Sequence, residues 1–215
     1  MKHATFRPRF GHSLLLLALG GTLTSSLVQA ADALPTIQQQ WAHCQYQQTG
    51  KAKESCLETL SAQAEQASAK EAFRTDLLIW SAIVKSTWAG AKGGLGALSL
   101  VKEAKAKLEI AIKQDPKALE GSAYTSLGSL YYQVPGWPVG FGDDDKAEQL
   151  LKQALAINPT GIDPNFFYGD FLLEQGDKAQ AKIYLDKALA APARPGRETA
   201  DEGRRTEIRE RLAKL

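Results

Sequence analysis

A segment that recurs three times constrains the fold of this chain more than any other feature of its sequence. In each copy a leucine follows an alanine by four positions, a second alanine follows by seven, and a proline lies near the end. These offsets place the residues on one helical face, where small alanines let a second helix approach closely. The copies contain Ala104, Leu108, Ala111 and Pro116; Ala147, Leu151, Ala154 and Pro159; and Ala181, Leu185, Ala188 and Pro192.

An upstream helical segment precedes each of the last two copies and supplies the partner helix. It is marked by aromatic, leucine and glycine residues: Tyr124, Leu127, Gly128 and Tyr131 before the second copy, and Tyr168, Gly169 and Leu172 before the third. This arrangement resembles the tetratricopeptide repeat, which pairs two antiparallel helices through such residues. The resemblance implies an all-α fold, an α-solenoid of degenerate helix pairs over residues 76–116, 117–159 and 160–192.

Capping signals divide the chain into about nine helices, and no segment has a convincing strand pattern. Three predicted helix starts rest on an N-cap acceptor followed by a capping-box glutamate or a proline at the first helical position. They are Ser68 with Glu71, Asp115 with Pro116, and Asp163 with Pro164.

The last helix, residues 198–214, has one apolar stripe, which indicates a C-terminal capping helix with a polar outer side. Two acids in it lie four residues before arginines, Asp201 before Arg205 and Glu207 before Arg211. This spacing favours a solvated, salt-linked face over an anion site.

Residues 1–30 have the organisation of a cleaved signal peptide. Three cations precede an apolar run over residues 13–28, and Val28-Gln29-Ala30 is a small-residue cleavage site. The run is shorter than the roughly 20 apolar residues of a membrane span, and no cysteine lies at the cleavage site. We therefore expect an exported, periplasmic protein with neither a membrane span nor a lipid anchor, in which residues 31–215 form a single helical-repeat domain.

Removal of residues 1–30 changes the charge of the chain. The sequence has 26 Lys and Arg against 24 Asp and Glu, and three of those cations but none of the acids lie in the predicted signal peptide. The mature chain therefore has 23 cations, 24 acids and a net charge of −1. Because no basic excess is left to bind phosphates, we expect no nucleic-acid partner.

The mature chain contains few side chains that suit catalysis or metal binding. It keeps one histidine, His43, and two cysteines, Cys44 and Cys56. Cys44 beside His43 would act as a nucleophile only as a free thiol. We therefore expect no enzyme, no metal and no cofactor.

A disulfide between Cys44 and Cys56 is the default prediction for an exported chain. Gly50 lies six residues from each cysteine, so an antiparallel helix pair folded at that turn would place the two side chains opposite each other. A redox pair and two free thiols are the alternatives.

Two inserts interrupt the repeats where an ordinary repeat has a short turn. The sequence YYQVPGWPVGFGDDD, residues 131–145, lies in the second repeat, and AGAKGGLGALSL, residues 89–100, lies at the same place in the first. Stacked repeats would bring both inserts to one rim of the solenoid. The aromatic residues of the longer insert either pack over helix ends or form a ligand- or partner-binding rim of Tyr132, Trp137 and Phe141.

The stretch LGSLYYQVPGWPVGFGDDDKAEQLLKQAL, residues 127–155, resembles the T-component family of tripartite ATP-independent periplasmic transporters. In that family a tyrosine-ended helix runs into a Pro/Gly insert before an Ala-x-x-x-Leu helix. The resemblance implies an adaptor that associates with an extracytoplasmic solute-binding protein and helps to hand over a small organic ligand. Lipid-anchored members have a cysteine at the processing site, which this chain lacks. The alternative function is a protein-interaction scaffold for cell-envelope assembly, with an envelope protein as its partner.

Overall fold

A computed structural model describes residues 1–2 and 32–215 of the chain. The predicted signal peptide, residues 1–30, lies outside the described residues apart from its first two positions. Residues 32–215 form one unit.

Consecutive helix pairs build this unit, so the prediction of an all-α solenoid is confirmed. In the described residues there are nine α-helices, no named strand, and no helix with both the length and the apolar character needed to cross a bilayer. The helices are α1 (Ala33–Gln47), α2 (Gly50–Lys70), α3 (Thr75–Lys92), α4 (Gly94–Gln114), α5 (Ser122–Gln133), α6 (Asp144–Ile157), α7 (Ile162–Glu174), α8 (Lys178–Leu189) and α9 (Glu198–Leu212).

The two helices of a pair meet through small residues. A side-chain carbon at Gly128 of α5 would lie 2.8 Å from Leu151 of α6, and one at Gly169 of α7 would lie 2.9 Å from Leu185 of α8. Glycine therefore sets how closely these helices approach. The structure buries the facing residues completely: Ala104, Leu108, Ala111, Ala147, Leu151, Ala154, Ala181, Leu185 and Ala188. On α5, Leu127 and Tyr131 are buried and Tyr124 is half-buried.

A fourth helix pair, α1 with α2, precedes the three repeats. The disulfide between Cys44 and Cys56 joins its two helices across the turn before Gly50, with the Cα atoms 5.5 Å apart. Cys44 is buried with Trp41 and Leu57 in the apolar cluster that α1 and α2 share with α3. The bond thus lies in the seam between the two helices.

Helix α9 connects the two ends of the helix array. Ile208 is fully buried in a cluster with residues of α7 and α8, so α9 covers the last repeat. Near the start of α9, Ala200 is buried among residues of α1, α2 and α3. At Gly203 any side chain would overlap the ring of Tyr46 on α1. The predicted capping helix therefore also packs against the first helix pair.

The glycine-rich segment 89–100 is helical. Helix α3 continues to Lys92 and α4 begins at Gly94, so only Gly93 lies between them. Ala89 and Leu100 are buried in the core at the two ends of the segment. The prediction of a second loop beside the longer insert is wrong, because burial of these apolar residues outweighs the low helix propensity of glycine.

The structure shifts the three helix starts that were predicted at Ser68, Asp115 and Asp163. Ser68 lies inside α2, although the long helical run does break shortly afterwards. Asp115 is followed by a turn and a short 3₁₀ segment, and α5 begins only at Ser122. Helix α7 begins one residue before Asp163, whose carboxylate forms ion pairs and does not cap the helix.

Removing the disulfide should lower the free energy of unfolding by about 3 kcal/mol, because a cross-link over twelve positions restricts the unfolded chain. Urea denaturation of the oxidised and reduced protein measures this difference. The double variant Cys44→Ala/Cys56→Ala should resemble the reduced protein and be unaffected by reductant. Equal stability of oxidised and reduced protein would contradict this prediction.

Gly128→Ala should destabilise the protein by about 1–3 kcal/mol, because the new methyl group forces α5 away from Leu151. Gly90→Ala is the matched control, since Gly90 lies in α3 with no atom near its Cβ position, and this change should be neutral or stabilising by about 0.5–1 kcal/mol. Both values come from urea denaturation. A neutral Gly128→Ala would show that the helix spacing does not depend on this glycine.

Candidate functional site

A cleft of about 1040 Å³ opens along the first helices of the pairs. Helices α1, α3, α5 and α7 line it, together with α9 and the segment 192–197 that precedes α9. Gly50 and Lys53 of α2 also line it. The first helix of every pair thus faces the cleft while the small-residue seams stay in the core. A surface of this kind, assembled from neighbouring repeats, is typical of binding sites in helical-repeat proteins.

Aromatic side chains form two walls of the cleft. Trp41 of α1 and Trp80 of α3 pack edge to face with ring centroids 5.6 Å apart. The indole N–H of Trp41 donates to Thr87 Oγ1 at 3.0 Å, which fixes its ring. Phe166 and Phe167 of α7 also line the cleft and pack edge to face. Trp41, Trp80 and Phe166 are at most 7% exposed, so their rings support the walls from behind, while the half-buried Phe167 offers apolar surface to the cleft.

Four arginines at the α9 side of the cleft make up what we call the arginine cluster: Arg194, Arg197, Arg204 and Arg211. Arg194 lies 2.7 Å from Asp163 and 2.6 Å from Asp201. Arg204 lies 2.9 Å from Asp163 and 2.6 Å from Glu207. Arg204 is also stacked against both phenylalanines of α7, with its guanidinium 4.4 Å from the centroid of Phe166. These ion pairs connect α7, α9 and the segment between α8 and α9.

Asp163 is the centre of these ion pairs. Burial alone would raise the pKa of this carboxyl, but the charges of Arg204 and Arg194 outweigh burial and lower its pKa from 3.8 to about 2. Asp163 therefore stays ionised well into the acid range, and its pairing stabilises the folded state.

In the described residues, Asp201 does not pair with Arg205 and Glu207 does not pair with Arg211, contrary to the prediction from the sequence. Asp201 is buried against Arg194. Glu207 pairs with Arg204, and Arg211 reaches Asp170 of α7 at 2.6 Å. The prediction of a solvated face is wrong, because these side chains point into the cleft and its walls.

The longer insert forms a loop of defined structure, residues 134–143, which we call the Trp137 loop. Its backbone is held by hydrogen bonds from the Gly142 N–H to the Pro135 carbonyl at 3.0 Å and from the Asp143 N–H to the Tyr131 carbonyl at 2.9 Å. The Asp143 carboxylate also caps α6. Trp137 at the tip is 90% exposed, and Val139 beside it is exposed too. The loop therefore presents an indole ring to solvent on a fixed backbone.

The structure separates the three residues that were predicted to form one rim. Tyr132 is buried, and its hydroxyl donates to Asp170 Oδ2 at 2.9 Å, so its expected place on an exposed rim is wrong. The physical reason is that α7 covers this face of α5, where Phe171 packs against the ring. Phe141 is half-buried against Tyr131, with ring centroids 5.5 Å apart. Trp137 alone of the three projects into solvent.

His43 and Cys44 do not form a nucleophile and base. Cys44 is in the disulfide, and the His43 ring is hydrogen-bonded to Gln47 and Gln48 on the surface. Within the described part of the chain, no three histidine, cysteine or acidic side chains are grouped so that they could hold a metal ion.

The sequence pattern does not predict Trp41, Trp80 and Arg197 as cleft residues. The available signal was the density of arginines in ARPGRETADEGRR, residues 193–205, directly after the last repeat. Its local spacing indicates a solvated helix face, because spacing along the chain does not reveal partners on distant helices.

Residues 140–195 match the family model of the tetratricopeptide repeat. The match covers α6, α7 and α8, which are the second helix of the second repeat and both helices of the third repeat. No curated protein matches the sequence. Neither comparison supports the resemblance to the transporter T-component family.

Asp163→Asn should lower the free energy of unfolding by about 2 kcal/mol near neutral pH, since the folded-state pKa lies below the ordinary value of 3.8. A depressed carboxyl pKa stabilises the fold above pH 3.8, and this stabilisation is lost as the pH falls towards 2. Urea denaturation over this pH range should therefore show the difference between wild type and variant shrinking on acidification.

Asp145→Asn is the matched control for this substitution, because Asp145 is an exposed carboxylate in the first turn of α6. It should change stability by less than about 1 kcal/mol. A difference between wild type and Asp163→Asn that stays constant with pH would show that the ion pairs of Asp163 do not stabilise the fold.

Proposed function

We propose that this tetratricopeptide-repeat protein is an exported, non-enzymatic adaptor that binds a protein partner through its Trp137 loop. The observation that carries the proposal is the exposure of Trp137, 90%, on a loop with its own backbone hydrogen bonds. Protein interaction is the role that the repeat itself suggests, since stacked helix pairs offer extended surfaces without catalytic groups.

The energetics of association favour a residue of this kind as an anchor. Tryptophan is enriched among the few interface residues that dominate binding energy. A loop that is already ordered loses little conformational freedom when it binds. Val139 would extend the apolar contact beside the indole ring. Trp137 thus combines a large apolar surface with a small cost of ordering.

The partner we propose is an extracytoplasmic solute-binding protein, which would make the chain an accessory component for solute uptake. The support is the resemblance of residues 127–155 to transporter T-components, and the Trp137 loop lies within that stretch. Export to the periplasm is supported by the signal-peptide pattern of residues 1–30 and agrees with the disulfide, a bond that persists in oxidising compartments.

Trp137→Ala should weaken capture of the partner by at least about tenfold while changing the free energy of unfolding by less than about 0.5 kcal/mol. The measurement is affinity capture from the periplasmic fraction of the source organism, with mass spectrometry of the retained proteins. The bait is tagged protein recovered from that fraction, so its N-terminus, expected at Ala31, reports export in the same sample.

Phe73→Ala is the matched control, because Phe73 is 80% exposed but lies in the turn between α2 and α3. It should retain the partner at the wild-type level. Capture of envelope-assembly proteins instead of a solute-binding protein would replace uptake with a scaffold function. Equal capture by wild type and Trp137→Ala would overturn the role of the loop.

A further inference from the structure

One member of the arginine cluster differs from the others in its surroundings. Three of its arginines lie within 3 Å of a carboxylate, as described above. Arg197 forms no ion pair with any carboxylate of the described residues, and its Nε is buried without a hydrogen-bond partner. A buried charged donor without a partner is costly, and such atoms in a cleft call for an explanation.

The position of Arg197 suits a ligand contact. Its guanidinium lies over the ring of Trp80, 4.9 Å from the centroid, and both residues line the cleft. Burial and the nearby charge of Arg194 lower the pKa of Arg197, and Asp163 and Asp201 offset this only in part. An added negative charge would therefore relieve an unfavourable environment.

A second cation lines the same cleft without an ion pair among the described residues. Lys53 of α2 is half-buried, and burial lowers its pKa, which the charge of Glu207 partly offsets. Lys53 and Arg197 come from opposite ends of the chain and line one cleft because α9 packs against α1.

We propose that Arg197 binds the carboxylate of a monoanionic organic ligand whose apolar part packs against the half-buried Ile83, which lines the cleft one turn after Trp80. The planar guanidinium matches the geometry of a carboxylate, and the buried Trp80 ring on which it lies holds it in place. Lys53 adds a second favourable charge to the cleft.

The charge of the surroundings favours a carboxylate over a phosphate. Five cations line the cleft, the four arginines of the cluster and Lys53, and five acids line it too, so the formal charges of the lining cancel; the acids are Glu120, Asp163, Asp170, Glu207 and Glu210. One negative charge is accommodated at Arg197, but a doubly charged phosphate would be repelled by these acids.

This ligand site goes beyond the proposed adaptor function, because it uses the cleft and none of the residues of the Trp137 loop. A carboxylate on an apolar body is found in small organic acids and at the C-terminus of a peptide. The experiment must therefore include both sources, and it must report binding without a partner protein.

The test titrates the full chain with benzoate, hexanoate and the peptide Ala-Ala-Phe, and follows tryptophan fluorescence and calorimetry. Benzamide, hexanamide and the C-terminally amidated peptide are the uncharged controls. We expect saturable binding of at least one carboxylate and at least about tenfold weaker binding of its amide. Binding of the acids alone would indicate a small-molecule site, and binding of the peptide alone would indicate a chain terminus.

Arg197→Gln should weaken the bound carboxylate by about 10- to 100-fold. Arg197→Lys keeps the charge but loses the planar fork, so it should bind with intermediate affinity. Arg209→Gln is the matched control, because Arg209 lies on α9 with its side chain 56% exposed and should bind as wild type does. Circular dichroism establishes that each variant is folded.

Three results would overturn the proposal. They are no saturable binding of any of the three carboxylates, equal affinity for a carboxylate and its amide, and a folded Arg197→Gln variant that binds as tightly as Arg209→Gln. None of these three results bears on the capture of a partner protein through Trp137. Failure of the carboxylate site can therefore be distinguished from failure of the proposed adaptor function.

Discussion

The close approach of the two helices within each pair is the constraint on which the rest of the structure depends. Gly128 against Leu151 and Gly169 against Leu185 leave no space for a side chain, and the alanines of the second helices are completely buried. Since the second helices fill the seams, the first helices are free to present their other faces to a common cleft. The packing of small residues therefore determines where a ligand could bind.

Helix α9 forms one side of the cleft that the helix pairs line. It brings the arginine cluster to the aromatic walls, and its contact at Gly203 with Tyr46 fixes its position against α1. Ion pairs that join residues about 30 to 40 positions apart, such as Asp163 with Arg194 and Arg204, then hold α7, α9 and the segment before α9 together. Arg197 is left without a carboxylate partner among the described residues.

The repeat pattern predicted the helix pairs and their buried residues because the 3.6-residue period and small residues leave a local record in the sequence. Local sequence patterns gave wrong predictions where tertiary contacts outweigh local propensity. The glycine-rich segment 89–100 is helical because its apolar ends are buried, and Tyr132 is buried because α7 covers it. The cleft could not be predicted, since Trp80 and Arg197 lie more than a hundred residues apart and meet only through the docking of α9.

The contact of α9 with α1 also changes how the fold should come apart. Helical-repeat proteins are usually quasi-one-dimensional, because each repeat touches only its neighbours and the terminal repeats can fray independently. Here Ala200 and Gly203 connect the last helix to the first pair, so neither end can open without breaking contacts of the other. This long-range contact makes unfolding more cooperative than in an open array, and it slows folding because a large loop must close before it forms.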